Sequence, residues 1–164
     1  EAKINEIVAN YGYEKLIYPS NLGLDLSKIN ASEKICFDKE VESLRKEVFH
    51  SEFSIINASC GVSSHGVVCV ISSKEQPRML SLAPTLCIIL LKKEQIVRSM
   101  SEAFALVKKE CDKAQTAKSS NALNSNKTLP NNILFIAGPS RTADIELITV
   151  FGVHGSQKVH LVLY

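Results

Sequence analysis

Apolar positions recur along the chain in two rhythms. Residues 2–10 carry Ile4, Ile7 and Val8 at three- and four-residue steps, with Gly12 following where a left-handed helix end would sit, so this stretch predicts a short helix. A brief β-prone piece at residues 34–37 precedes Asp38, which can cap a second helix bearing Val41, Leu44 and Val48 on one face and ending near His50. Residues 1–50 are thus expected to form a mainly helical part. From Phe53 the rhythm shortens to apolar runs at residues 53–56, 67–71 and 86–91, separated by Gly, Ser and Pro clusters. These are strand lengths, apolar on both faces and so buried.

A longer helix follows, with Ile96, Met100, Phe104, Val107 and Cys111 on one face and charges on the other, packed on the sheet. Residues 112–128 are polar and aperiodic and predict a mobile, solvated loop, because little apolar area is present to offset ordering entropy. Residues 133–137 and 159–164 supply two further strands, the last tied into the sheet. Helices alternating with near-continuous apolar strands predict one α/β domain over residues 1–164, a layered sandwich with a largely parallel central sheet. No internal repeat is visible.

Composition narrows the classes. The 164 residues are 45% hydrophobic and 22% charged, ordinary proportions for one core. Nineteen Lys and Arg against 17 Asp and Glu leave a formal charge of +2, too weak a field to argue for nucleic acid or an anionic membrane. The longest apolar stretch, residues 82–91, is interrupted by Pro84 and Thr85 and is about half of what a membrane-spanning helix needs. No signal peptide opens the chain, and its first residue is Glu1 rather than Met, which points to a trimmed start. The 5 cysteines are odd in number and lack C-x-x-C spacing, as expected of reduced thiols in a cytoplasmic protein.

Three stretches could carry chemistry. In open α/β sheets ligands bind beyond the carboxyl ends of strands, the place that residues 138–146 occupy after the strand at Ile133. There Gly138 permits close approach to the backbone, Ser140 or Thr142 can cap a helix start, and Arg141 offers a planar fork for a carboxylate or phosphate. Asp144 and Glu146 add acids; equally, Arg141 and Asp144 can simply pair across one helical turn. His154 lies on a turn before the last strand and can serve as a proton carrier or remain merely solvated. In "CGVSSHGVV", residues 60–68, Cys60, Ser63, Ser64 and His65 crowd together. Catalytic Cys and His partners usually meet from distant positions, so a buried inert Cys60 beside ordinary turn serines is the stronger reading. No zinc-ligand spacing, G-x-x-x-x-G-K-[ST] loop or G-x-G-x-x-G turn is present.

"GPSRTADIE" followed by "VFGVHG" and the terminal "KVHLVLY" resembles the C-terminal end of the lactate-utilisation protein C family, the LUD domain. "PRMLSLAPTLCIIL", residues 77–90, is similar to the family's Arg-x-Leu-Ser-Leu-x-Pro stretch, bringing in Arg78 and extending the resemblance over residues 53–164. The resemblance implies a fold like that of the NagB/RpiA/CoA-transferase group. It also implies a role in oxidising lactate to pyruvate beside partner subunits that carry iron-sulfur clusters. This chain has no cysteine run that could ligate a cluster, so no cofactor is expected on it.

One departure stands out. Where the family has Ala-Asp-x-x-Ile-Ala-Glu-Thr-Gly, this sequence reads "ASCGVSSHG", with Ser59, Ser64 and His65 at the Asp, Glu and Thr positions and only Ala58 and Gly66 kept. Loss of the two acids makes the region more positive beside Arg141 and Arg78 and favours a small anionic ligand. The expected function is an accessory or ligand-binding subunit of a cytosolic lactate-oxidising system. The alternative is a free-standing transferase- or isomerase-like enzyme that uses Asp144 or Glu146 as acid-base groups and Arg141 to hold a carboxylate or phosphate.

Overall fold

The computed structural model describes residues 1–40, 42–118, 132–142, 150–152 and 154–164. Five strands form one wholly parallel sheet: β1 (Lys15–Pro19), β2 (Glu33–Phe37), β3 (Phe53–Asn57), β6 (Leu86–Leu91) and β11 (Lys158–Leu163), ordered β11-β6-β3-β1-β2. A second, four-stranded sheet consists of β4 (Cys60–Val62), β5 (Val67–Ile71), β7 (Ile96–Val97) and β8 (Ile133–Ile136), ordered β7-β4-β5-β8. In it β5 runs antiparallel to both β4 and β8. The α/β class and the largely parallel central sheet are those that the apolar pattern predicts.

Central β6 shows how one run serves both faces. Cys87, Ile89 and Leu91 point into one core with Ile17, Ile56, Val48 and Leu80, while Leu86, Ile88 and Leu90 point into the other with Ile4, Val8, Leu16 and Phe53. Every residue of β6 is buried, as a strand covered on both sides must be. Helix α1 (Ala2–Tyr11) covers the second face with Ile4, Ile7 and Val8. It ends at Gly12, whose φ of 67° lets its N–H reach the Ala9 carbonyl at 3.2 Å.

The four-stranded sheet lies over the first face. Val68, Val70 and Ile136 face the parallel sheet, and Cys60, Val62 and Cys69 face away, under Ala103 and Val107 of helix α4 (Met100–Lys118). Helices α2 (Arg45–His50) and α3 (Met79–Leu82) complete the first face.

Several expectations need correction. The first fifty residues are not mainly helical: they hold β1 and β2, two strands of the parallel sheet. Charged Glu14 and Lys15 and the closing Pro19 obscure β1, yet Leu16 and Ile17 are fully buried. The second helix starts at Arg45 rather than after Asp38, because the chain first turns, with Ser43 and Leu44 N–H both bonded to the Glu40 carbonyl; Val41 lies outside the described residues. Ile96 belongs to β7, paired with Gly61, and α4 begins only after Ser99, whose hydroxyl accepts the Glu102 N–H at 3.3 Å. Residues 112–118 continue α4 instead of forming a loop; the rest of the expected loop, from residue 119, lies outside the described residues. Phe104 is 53% exposed and stands edge-on to Phe135, ring centroids 5.4 Å apart. Among the described residues no helix is long and apolar enough to cross a membrane.

Candidate functional site

The polar turn after β8 closes onto the segment that leads into β11. Gly138 adopts a φ of 151°, a conformation that other residues rarely take, and directs the chain to Ser140. Ser140 then acts as a junction. Its N–H donates to the Ser156 carbonyl at 2.9 Å, its carbonyl accepts the Gly152 N–H at 3.1 Å, and its hydroxyl oxygen accepts the His154 N–H at 3.3 Å. Ser156, 4% exposed, fastens this junction to the core by donating its hydroxyl to the Pro84 carbonyl at 2.7 Å and the Ser81 carbonyl at 3.1 Å.

Beneath the junction is a cavity of about 360 Å³. Its floor is apolar, with Leu82, Leu134, Ile136 and Val159, and its rim carries Ser81, Gly138, Ser140, His154 and Ser156. The Ser81 and Ser156 hydroxyls are already donating within the protein. Among the described residues the Ser140 hydroxyl only accepts, so its proton is available there, and the exposed His154 imidazole has no partner. A hydroxyl donor and an imidazole over an apolar floor suit a small carboxylate with a short carbon chain: the polar pair takes the oxygens and the floor takes the methyl.

The structure brings Gly138, Ser140 and His154 to this one cavity. Arg141 is exposed, does not line it, and is engaged in an interaction of its own. The backbone places Arg141 and Thr142 in β9 (Arg141–Thr142), antiparallel to β10 (Val150–Phe151), so these residues do not start a capped helix. Asp144 and Glu146 lie outside the described residues. Arg78 is exposed at the start of α3, donates from Nη1 to Asn132 Oδ1 at 3.2 Å, and lines a separate cavity.

His65 sits on the exposed turn between β4 and β5, its Nδ1 2.7 Å from Ser64 Oγ. The pairing of Val68 with Ile136 puts that turn at the same end of β8 as Gly138, but His65 does not line the cavity. Cys60 is fully buried opposite Cys69, and burial raises its thiol pKa, so it is no partner for the exposed imidazole. Among the described residues no three His, Cys, Asp or Glu side chains converge as a metal site requires.

Position within the fold also differs from expectation. The turn at residues 138–140 does not follow a strand of the parallel sheet, since β8 is antiparallel to its neighbour in the other sheet. Through Ser156, Ser81 and Pro84 the cavity is tied to the segments entering β6 and β11, hence to the amino ends of the parallel strands. Ser156 escaped the sequence reading, and Ser81 entered it only as the serine of the Arg-x-Leu-Ser-Leu-x-Pro stretch, with no role of its own. For Ser156 the only cue was its place directly after Gly155 and before an apolar strand, a pattern that turns share.

The LUD domain family model matches residues 3–164. The chain belongs to the LUD domain family. The match includes the N-terminal residues that carry β1 and β2, which sequence motifs alone did not bring into the resemblance. This LUD domain is 31% identical over 126 residues to lactate utilization protein C of Bacillus subtilis, covering 77% of this chain and 47% of that protein. It is 35% identical over 114 residues to the uncharacterized protein YkgG of Escherichia coli, covering 69% of this chain and 44% of that protein. The chain thus spans about half the length of the curated relatives it matches. The crystal structure of a DUF162 family protein from Deinococcus radiodurans superposes with a TM-score of 0.58 over 99% of this chain and 83% of that one, at 15% identity, a likeness of fold.

Proposed function

We propose that this LUD domain acts in lactate utilisation as the ligand-binding subunit of a cytoplasmic system that oxidises L-lactate to pyruvate, with iron-sulfur clusters held by partner subunits. Its part is to hold the small acid. The Ser140 hydroxyl donates to the carboxylate, the His154 imidazole donates to or accepts from the neighbouring oxygen, and the methyl rests on the apolar floor. The observation that carries this reading is the Ser140 and His154 cavity, where among the described residues the hydroxyl proton and the imidazole have no partner and apolar side chains line the rest. Relatives of the same family called lactate utilization protein C supply the substrate class.

The test is lactate-dependent dye reduction by the iron-sulfur partner proteins, with wild-type chain, without it, and with Ser140→Ala. The reading expects reduction to need the chain and to fall severalfold with the variant. Equal rates with and without the chain would exclude it.

A further inference from the structure

A second cavity, about 470 Å³, opens where the segment between β5 and α3 passes Asn132, just before β8. Ser72, Ser73, Lys74, Arg78 and Asn132 form its polar walls. It shares no residue with the Ser140 cavity. Both Lys74 and Arg78 carry positive charge into it, and among the described residues no carboxylate lines it.

Neither cation is neutralised among the described residues. The guanidinium of Arg78 is held from one side by a neutral acceptor, Asn132 Oδ1, and the Lys74 ammonium has no hydrogen bond or ion pair there. One of five guanidinium N–H groups is used by Asn132, and among the described residues the rest of the fork is open.

The segment that mounts these cations is fixed at both ends. Ser73 N–H donates to the Gln76 carbonyl and Gln76 N–H to the Ser73 hydroxyl, each at 3.0 Å. The side chain of Gln76, 6% exposed, both accepts from the Asn57 N–H and donates to the Asn57 carbonyl at 2.9 Å, as a neighbouring strand would. Arg78 N–H donates to the Ser72 hydroxyl at 3.2 Å. Two cations without a counter-charge among the described residues, facing one hollow from a braced loop, make an anion receptor whose backbone and Arg78 are set before binding, so that mainly the Lys74 side chain has to be ordered.

The geometry points to a site for the phosphoryl group of a small phosphorylated metabolite, held between the Arg78 fork and the Lys74 ammonium. A dianion satisfies both cations, whereas a single carboxylate leaves one uncompensated, and the planar fork matches two phosphate oxygens. The volume leaves room beside the phosphate for an organic group. This site is independent of the lactate reading and uses other residues.

Calorimetric titration at low salt tests it, with pyrophosphate and glycerol 3-phosphate as probes, inorganic phosphate to separate the bare anion from its organic ester, and L-lactate as the monoanion. One saturable site is expected for the phosphorylated probes. Lys74→Gln and Arg78→Gln should each weaken it about tenfold, while Lys46→Gln, at an exposed lysine on α2, leaves it unchanged. Melting curves confirm that each variant folds, and Lys74→Gln, which removes no internal contact, keeps the test open if Arg78→Gln does not. No saturable heat below about 10 mM, equal affinity in wild type and Lys74→Gln, or the same loss in Lys46→Gln would overturn the site.

Discussion

Replacing Ser156 with Ala tests whether one buried hydroxyl holds the Ser140 cavity together. Its single proton is shared between the Pro84 and Ser81 carbonyls at 2.7 and 3.1 Å, in a position 4% exposed. Ser156→Ala leaves both acceptors without that donor and opens almost no volume, so the loss is that of unsatisfied buried polar groups rather than of packing. That loss is about 1–3 kcal/mol. For a chain of this size it lowers Tm by about 2–4 °C per kcal/mol, or roughly 2–12 °C. The chain has no Trp, so urea unfolding is followed by far-UV circular dichroism. The Ser140 junction rests on the Ser156 carbonyl, and lactate affinity is expected to fall together with the midpoint. A stability change below about 0.5 kcal/mol, within the ordinary range for surface positions, with lactate affinity intact, would mean that this hydroxyl does not hold the junction.

Other perturbations probe the layers around the cavity. Gly61→Ala would place a Cβ 2.6 Å from Leu91 Cδ2 in the core between the sheets, and the forced repacking should destabilise by about 1–3 kcal/mol in urea titration. Burial raises the thiols of Cys69 and Cys87 from the ordinary 9.0 to about 12, so the folded state keeps protons that the unfolded chain releases. Their contribution is complete below pH 9.0 and is lost as pH rises toward about 12, at up to about 1.4 kcal/mol per pH unit for each thiol; unfolding midpoints measured from pH 8 to 11 should fall accordingly. Thiol labelling of the native protein at pH 8 should modify half-buried Cys36 and Cys111 well before Cys60, Cys69 and Cys87, as peptide mapping would read directly.

Much of the fold was legible because the apolar periodicity is strong where burial is complete. The run at Leu86–Leu91 could only be a strand covered on both faces, and Ile4, Ile7, Val8 and Gly12 spelled out a helix and its end. What failed were short elements whose local signal tertiary pairing overrides. β1 contains only Leu16, Ile17 and Tyr18 between charged residues and Pro19, and β7 is two residues that continue the helical spacing of Ile96 and Met100 by coincidence. The sheet partition was equally hidden, because β5 and β6 are both apolar runs and only pairing assigns one to an antiparallel sheet and the other to the parallel one.

The candidate site was legible as a set of residue types and not as a place. Gly138, Ser140 and His154 were singled out from the motif, but the expectation that they follow a strand of the parallel sheet did not hold, because β8 lies in the other sheet. The hydroxyl of Ser156, which fixes the junction, is indistinguishable in sequence from any turn serine.

On the proposed function a small acid binds at the amino ends of β6 and β11, between Ser140 and His154. Titration of the ¹⁵N-labelled chain with L-lactate, followed residue by residue through its amide resonances, locates that binding. Saturable shifts should concentrate at Ser81, Gly138, Ser140, His154 and Ser156. Shifts gathered instead at the carboxyl ends of the parallel strands, around Asn57, Lys92 and Tyr164, or no saturable shift at all, would contradict it.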